Sequence, residues 1–152
     1  MAPTIQFITT EEGLRRCAEV MRELRPHLMP ERIVEMALVQ LSEGYKLVSL
    51  EEDGQVLALA GFRLYHMLVA GGKTLYVDDL VTASERRSGA LGAELLRWVA
   101  AYARSEGCVR LTLDSGLDNY RAHKFYLREN LRISAFHFAK SVIDPIQAGS
   151  GP

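Results

Sequence analysis

Residues 75–92, Leu-Tyr-Val-Asp-Asp-Leu-Val-Thr-Ala-Ser-Glu-Arg-Arg-Ser-Gly-Ala-Leu-Gly, set two chemistries side by side. Asp78 and Asp79 form an acidic pair inside a run, 74–82, whose β-branched and aromatic residues read as a strand. Arg86-Arg87-Ser88-Gly89 then breaks the strand, and from Ala90 the apolar positions fall at helical spacing. A strand feeding a basic turn at a helix N-terminus is an anion site. The first helical N–H groups have no internal acceptor, and the helix dipole favours negative charge there. Two arginines beside it add charge-assisted hydrogen bonds suited to phosphate. The acidic pair suits a cation or a proton. Adjacent strand residues face opposite sides of a sheet, so one carboxylate can look into a cleft while the other meets a helix or solvent. Parity alone does not choose between them.

The elements that position these groups follow from the rest of the chain. Residues 4–8 read as a short edge strand. Thr9 with Glu12 fits a capping box, Leu14, Cys17, Met21 and Leu24 follow at helical spacing, and Pro26 stops that helix. Pro30 opens a second helix with Ile33, Val34, Ala37, Leu38 and Leu41 as its stripe and Gly44 as its cap. Both helices precede the centre of the sheet, where they would form a lid. Strands over 45–51 and 55–66 meet at Asp53-Gly54, a strong hairpin signal, and a turn at Ala70-Gly71-Gly72 leads into the 74–82 strand. The result is an antiparallel meander. Leu91, Leu95, Trp98, Val99 and Tyr102 then mark one face of a helix that Gly107 ends. Residues 109–113 make a strand that must run parallel to 74–82 through a right-handed crossover. A shorter helix over about 119–128 and a last strand over 131–140 complete the pattern. The predicted fold is an α/β mixed sheet, one domain over residues 1–144 with a frayed tail at 145–152. Ligands in such sheets gather at the carboxyl ends of the parallel strands, which is where the basic turn lies.

With 152 residues, 48% hydrophobic and 24% charged, the chain has the composition of an ordinary globular protein. A formal net charge of −1 argues against a general nucleic-acid binder, so the arginines at 86 and 87 are a local feature. Cys17 and Cys108 lack metal-ligand spacing and read as small hydrophobes in a reducing compartment; the four histidines show no metal spacing either. No segment reaches transmembrane length and no signal pattern opens the chain, so no membrane association and a cytoplasmic location are expected. A P-loop nucleotidase is excluded because no Gly-Lys-Ser/Thr follows the glycines.

Two separated motifs then point one way. Arg87-Ser88-Gly89-Ala90-Leu91-Gly92 resembles the Arg/Gln-x-x-Gly-x-Gly/Ala phosphate loop of the GCN5-related N-acetyltransferase (GNAT) superfamily. Asn119-Tyr120-Arg121-Ala122-His123-Lys124-Phe125-Tyr126 matches that superfamily's Asn-x-x-Ala-x-x-Phe-Tyr signature at every fixed position. The chain departs from the pattern where Ala90 replaces the first glycine, where Asn130-Leu131 replaces Gly-Phe, and where no proline follows the central strand. The resemblance implies acetyl-CoA held between two splayed parallel strands. Backbone groups of Leu80, Val81 and Thr82 would pair with the pantetheine. The N–H groups of Ser88, Gly89, Ala90, Leu91, Gly92 and Ala93, with the Arg87 side chain, would hold the pyrophosphate. Asn119 and Ala122 would line the pantetheine and thiol side.

Acetyl transfer to an amine needs a neutral amine, a polarised thioester and a proton for the leaving thiolate. Tyr126 is the candidate general acid, since a phenol ordinarily titrates at about pH 10 and is protonated at neutral pH. Asp78 or Asp79 is the candidate amine anchor or, through water, base; an isolated carboxylate is too weak a base to act directly. Asp114 can cap a helix or take part in catalysis, His123 sits on a helix surface, and His66 and His137 are spare bases. Arg86 is expected to meet solvent or an outer phosphate. The expected activity is acetyl-CoA-dependent N-acetylation of a primary amine on a small molecule, by direct attack in a ternary complex and without a metal. A non-catalytic acetyl-CoA-binding module and a peptide-lysine acetyltransferase are the rivals. The resemblance and the apolar run 135–139 also suggest a homodimer.

Overall fold

Asp53 and Gly54 both adopt positive φ, 52° and 77°, the geometry that lets a two-residue turn match the twist of its flanking strands. That hairpin seeds the sheet seen in the computed structural model, which describes residues 2–86 and 90–144. The chain divides into two compact units, residues 1–113 and 114–152. The first contains β1 (Thr4–Ile8), α1 (Glu11–Leu24), α2 (Pro30–Ser42), β2 (Lys46–Glu52), β3 (Gln55–Met67), β4 (Gly72–Thr82), a 3₁₀ turn (Ser84–Arg86), α3 (Leu91–Ser105) and β5 (Cys108–Leu113). The strands lie in the order β1-β2-β3-β4-β5, antiparallel except for the parallel β4–β5 pair. The mixed sheet and its crossover therefore follow the sequence pattern.

Strand alternation divides the buried residues between two faces. Ile8, Leu47, Leu59 and Val81 pack with the stripes of α1 (Leu14, Cys17, Ala18, Met21) and α2 (Ile33, Val34, Ala37). Val48, Ala58, Ala60, Phe62, Leu75 and Val77 pack with Leu91, Leu95 and Val99 of α3. Both early helices are thus a fixed core layer rather than the lid anticipated above, because their apolar stripes have no other place to be buried. The α1 cap also differs by one residue. Thr10 Oγ1, not Thr9, receives an N–H, that of Gly13 at 3.1 Å. A Cβ at Gly13 would stand 3.0 Å from Ile8 Cγ2 and 3.2 Å from Thr10 Oγ1, so this close approach suits glycine.

One charge is buried on the α1 side. Glu51 of β2 accepts from Ser49 Oγ (2.6 Å), Gln6 Nε2 (2.9 Å) and both Nη groups of Arg16 (3.1 Å each). Burial pushes its pKa up, but the hydrogen bonds from Arg16, Ser49 and Gln6 outweigh that and hold it below the usual 4.5. A depressed carboxylate stabilises the fold above its unfolded-state pKa, and that stability is lost as pH falls through the native value. Glu51→Gln is therefore expected to cost about 1–3 kcal/mol at neutral pH, Arg16 being partly solvated. It should also flatten the decline in stability below pH 4.5, as measured by denaturant melts from pH 3 to 7.

The second unit, described through residue 144, holds α4 (Tyr120–Arg128). Residues 131–142 form no strand, contrary to the expectation for 131–140. Alternating apolar residues supply a face, but a strand exists only through a ladder partner. Residues 145–152, expected to be a tail, lie outside the described residues.

Candidate active site

The centre of the first unit's site is an irregularity in β4. Phe62 pairs with Val77 and Gly61 with Asp79, so Asp78 is an extra residue in the ladder, a β-bulge. Without it, Asp78 and Asp79 would face opposite sides, as strand alternation requires. With it, both carboxylates stand on the α1 face, which corrects that expectation. Asp79 follows Gly61 and Val81 on that side, and Asp78 is reached there by Arg63.

Each carboxylate is held by an arginine. Arg63 grips Asp78 bidentately, Nε to Oδ2 at 2.9 Å and Nη2 to Oδ1 at 2.7 Å, and its guanidinium lies over Tyr76, 5.5 Å from the ring centroid. Arg25, just past α1, donates Nε (3.2 Å) and Nη2 (2.9 Å) to Asp79 Oδ1, and Nη2 also reaches the Asp78 carbonyl at 3.0 Å. Tyr45 donates its hydroxyl to Asp79 Oδ2 at 2.7 Å. Burial and the Asp79 charge push the Tyr45 pKa well above 10, so the phenol remains a donor. Its position comes from the end of α2. Gly44 sits at φ 96°, and the Tyr45 N–H reaches back to the Gln40 carbonyl (3.0 Å), which closes a Schellman cap and turns Tyr45 into the core. Sequence reasoning missed Arg25, Arg63, Tyr45 and Gly61. Two signals pointed to them: carboxylates on a half-buried strand need partners, and a glycine inside a strand marks close approach.

The side expected to hold a cofactor begins where the β4–β5 ladder stops. The last pair is Val77↔Leu113, yet β4 runs on beside β3 to Thr82, through Leu80 and Val81. Its exit is pinned on three sides. The Ala83 N–H donates to the Leu57 carbonyl (2.8 Å), the Ser84 N–H to the Glu23 carboxylate (3.0 Å), and Arg86 Nη1 to Glu52 (3.2 Å). Arg86 is thus tied to β2 through Nη1, while its side chain stays 39% exposed. Arg87, Ser88 and Gly89 lie outside the described residues. Ala90 follows in the left-handed region, φ 60° and ψ 15°, a conformation costing a non-glycine residue roughly 1 kcal/mol. The first α3 bond runs from the Glu94 N–H to the Ala90 carbonyl (3.1 Å), so the N–H groups of Leu91, Gly92 and Ala93 point out of the helix end. An open cleft of about 400 Å³ adjoins this exit, lined by Glu19, Val20, Arg22, Glu23, Pro26, Ala83 and Glu85; neither Asp78 nor Asp79 reaches it.

Neither cysteine is an activated nucleophile. Burial raises the Cys17 pKa to about 12 and also raises that of Cys108. Among the described residues no cluster of metal-binding side chains occurs, and no helix is long and apolar enough to cross a membrane.

In the second unit, Asn119 Oδ1 accepts the Ala122 N–H at 3.2 Å, so the Asn-x-x-Ala spacing is that of an N-cap and its third helical residue. His123 donates from Nε2 to the Gly116 carbonyl (2.7 Å), and Asp114 meets His137 at 3.4 Å, which gives both histidines structural partners. Asn130 takes the left-handed position, φ 68°, and the Leu131 N–H reaches the Tyr126 carbonyl (3.0 Å), closing α4 as a glycine would. The Tyr126 ring meets Phe125 edge-on at 5.3 Å, and burial raises its pKa.

Comparison with known proteins decides the family. The family profile described as Acetyltransferase (GNAT) family matches residues 11–130. The chain belongs to the GNAT family. Like its relatives it is an N-acetyltransferase-type acyltransferase. It is 33% identical over 138 residues to the Bacillus subtilis "Uncharacterized N-acetyltransferase YhdJ", covering 89% of this chain and 96% of that one. It is 28% identical over 90 residues to the Salmonella typhimurium "Aminoalkylphosphonate N-acetyltransferase", covering 59% and 58%. The GNAT fold is shared with aminoglycoside N-acetyltransferase AAC(6')-Iy, a structure in complex with CoA, at a TM-score of 0.78 and 13% identity over 94% of this chain and 98% of the other.

Proposed function

We propose that this GNAT protein acetylates a primary amine on a small molecule, with acetyl-CoA as donor, in a ternary complex. The supporting observation is the early end of the β4–β5 ladder. It leaves the Leu80–Thr82 stretch beside an edge that β5 does not fill, and directs the chain into the N-terminus of a 15-residue helix. These features fit a pantetheine arm and a pyrophosphate, the latter on the N–H groups of Ser88 to Ala93 and the Arg87 side chain. Asn119 and Ala122 would border the thiol end, as their motif implies. The small-molecule reading draws further support from the acceptor named for one relative, an aminoalkylphosphonate.

Bound acetyl-CoA supplies the thioester carbonyl and the leaving thiolate. As the acceptor nitrogen forms its bond to that carbonyl carbon and the C–S bond breaks, Tyr126 gives its proton to sulfur. Its raised pKa keeps that proton in place at neutral pH. Asp78 and Asp79 serve the acceptor side, as groups whose oxygens are already engaged by Arg63 and Arg25, and the amine proton leaves through water. A homodimer and a cytoplasmic location belong to the same reading.

A thiol-release assay of acetyl-CoA against polyamines, amino acids, aminoglycosides and lysine peptides tests it. Turnover with a small amine is the expected result. Turnover with peptides alone would favour a lysine acetyltransferase, and bound acetyl-CoA that no amine consumes would favour a sensing module.

A further inference from the structure

The acidic pair was expected to present negative charge to an amine. The geometry shows the opposite polarity outward. The Asp78 and Asp79 side chains are only 16% and 11% exposed, while those of Arg63 and Arg25 are 47% and 41% exposed. Both Asp78 oxygens accept from Arg63, and Asp79 accepts two bonds from Arg25 and one from Tyr45. Each carboxylate is already paired with a guanidinium through two N–H donors, so an ammonium placed beside it meets a neutralised partner and competes with a charge-assisted pair.

The arginines are differently placed. A guanidinium carries five N–H donors. Arg63 uses Nε and Nη2, and Arg25 uses Nε and Nη2, so Nη1 of each keeps both of its donors without a hydrogen-bond partner among the described residues. Their anchor residues are consecutive, with Cα atoms ~3.8 Å apart, so the two forks are fixed beside one another on the α1 face. The carboxylates beneath hold the forks still, which lowers the entropy lost on binding an oxyanion. Leu80 to Thr82, the stretch proposed for the pantetheine, continue β4 directly after Asp79.

We infer that Arg25 and Arg63 form an oxyanion subsite for the acceptor, so that the substrate is an amine also bearing a carboxylate, phosphonate or phosphate. In this arrangement Asp78 and Asp79 are positioning residues: they aim the arginines and do not bind the amine. The inference rests on the N-acetyltransferase reading above.

Initial rates at fixed acetyl-CoA, with acceptors matched in length, test it: 3-aminopropanoate and 2-aminoethylphosphonate against propylamine and ethylamine. The anionic acceptors are expected to exceed the neutral ones at least about tenfold in kcat/KM, and the two anionic arms tell a carboxylate site from a phosphonate site. Arg63→Gln and Arg25→Gln should collapse that ratio mainly through KM of the anionic acceptor. Arg63→Lys keeps the charge but loses the fork, and should fall between wild type and Gln. Circular dichroism melts confirm that each variant is folded. Should Arg63→Gln fail to fold, Arg63→Lys and the wild-type thermal shift with ethylphosphonate against ethanol carry the test. Neutral amines used as well as anionic ones, or a ratio untouched in folded variants, would overturn the subsite while leaving N-acetylation standing. Acetyl-CoA binding with no amine consumed would remove the reading beneath it as well.

Discussion

Replacing Tyr126 by Phe is expected to lower kcat about 10²- to 10⁴-fold while leaving KM for acetyl-CoA within about twofold, the range attributed to one general acid. The substitution removes a single oxygen from a ring whose edge-on contact with Phe125 at 5.3 Å does not involve it. The helix around it depends on the Asn119 cap and the left-handed Asn130, and neither changes. A loss confined to kcat therefore reports the proton and not the fold. The pH profile gives a second readout. The acid must be protonated to act, and burial lifts its pKa above 10. Activity limited by Tyr126 thus declines on an alkaline limb shifted above that of a free phenol, and that limb vanishes in the Phe variant. Turnover of Tyr126→Phe equal to wild type with a good acceptor would refute the assignment.

The sheet was legible because its signals are local. Asp53-Gly54, the Gly44 cap and the apolar stripe of α3 each specify geometry within a few residues, and each formed as read. The two signatures gave the family, since spacing along one helix or one turn is a sequence property. What escaped was non-local. The bulge at Asp78 depends on which residue of β3 opposes it, and no pattern within β4 encodes that register. The Arg25–Asp79 and Tyr45–Asp79 bonds join positions 54 and 34 residues apart. For the same reason 131–140 looked like a strand: its alternation is local, but its pairing is not.

Gly61 turns that hidden register into a measurable effect, because Gly61→Ala is expected to destabilise the fold by about 3–5 kcal/mol. A Cβ there would stand 2.7 Å from Tyr45 Cε1 and closer still to Cζ and the hydroxyl oxygen. Tyr45 is 4% exposed and fixed at its base by the α2 cap, so the ring has no room to yield. Forcing the overlap costs about 1–3 kcal/mol. The part of the overlap that is relieved by pushing the ring also weakens the phenol's bond to the Asp79 carboxylate, a loss of up to ~1.5–3 kcal/mol in this setting. At about 2–4 °C per kcal/mol for a chain of this size, the melting temperature should drop by roughly 10 °C. A double-mutant cycle separates this clash from any general intolerance of the strand. Tyr45→Ala alone leaves a cavity and costs about 3–5 kcal/mol. In that background the added methyl meets no ring, and a Gly→Ala change in extended backbone then becomes nearly neutral or mildly stabilising. The expected coupling is therefore at least ~2 kcal/mol. Equal costs of Gly61→Ala in both backgrounds would show that Tyr45 is not what the glycine makes room for, and with it that Asp79 is not held in the way the bulge requires.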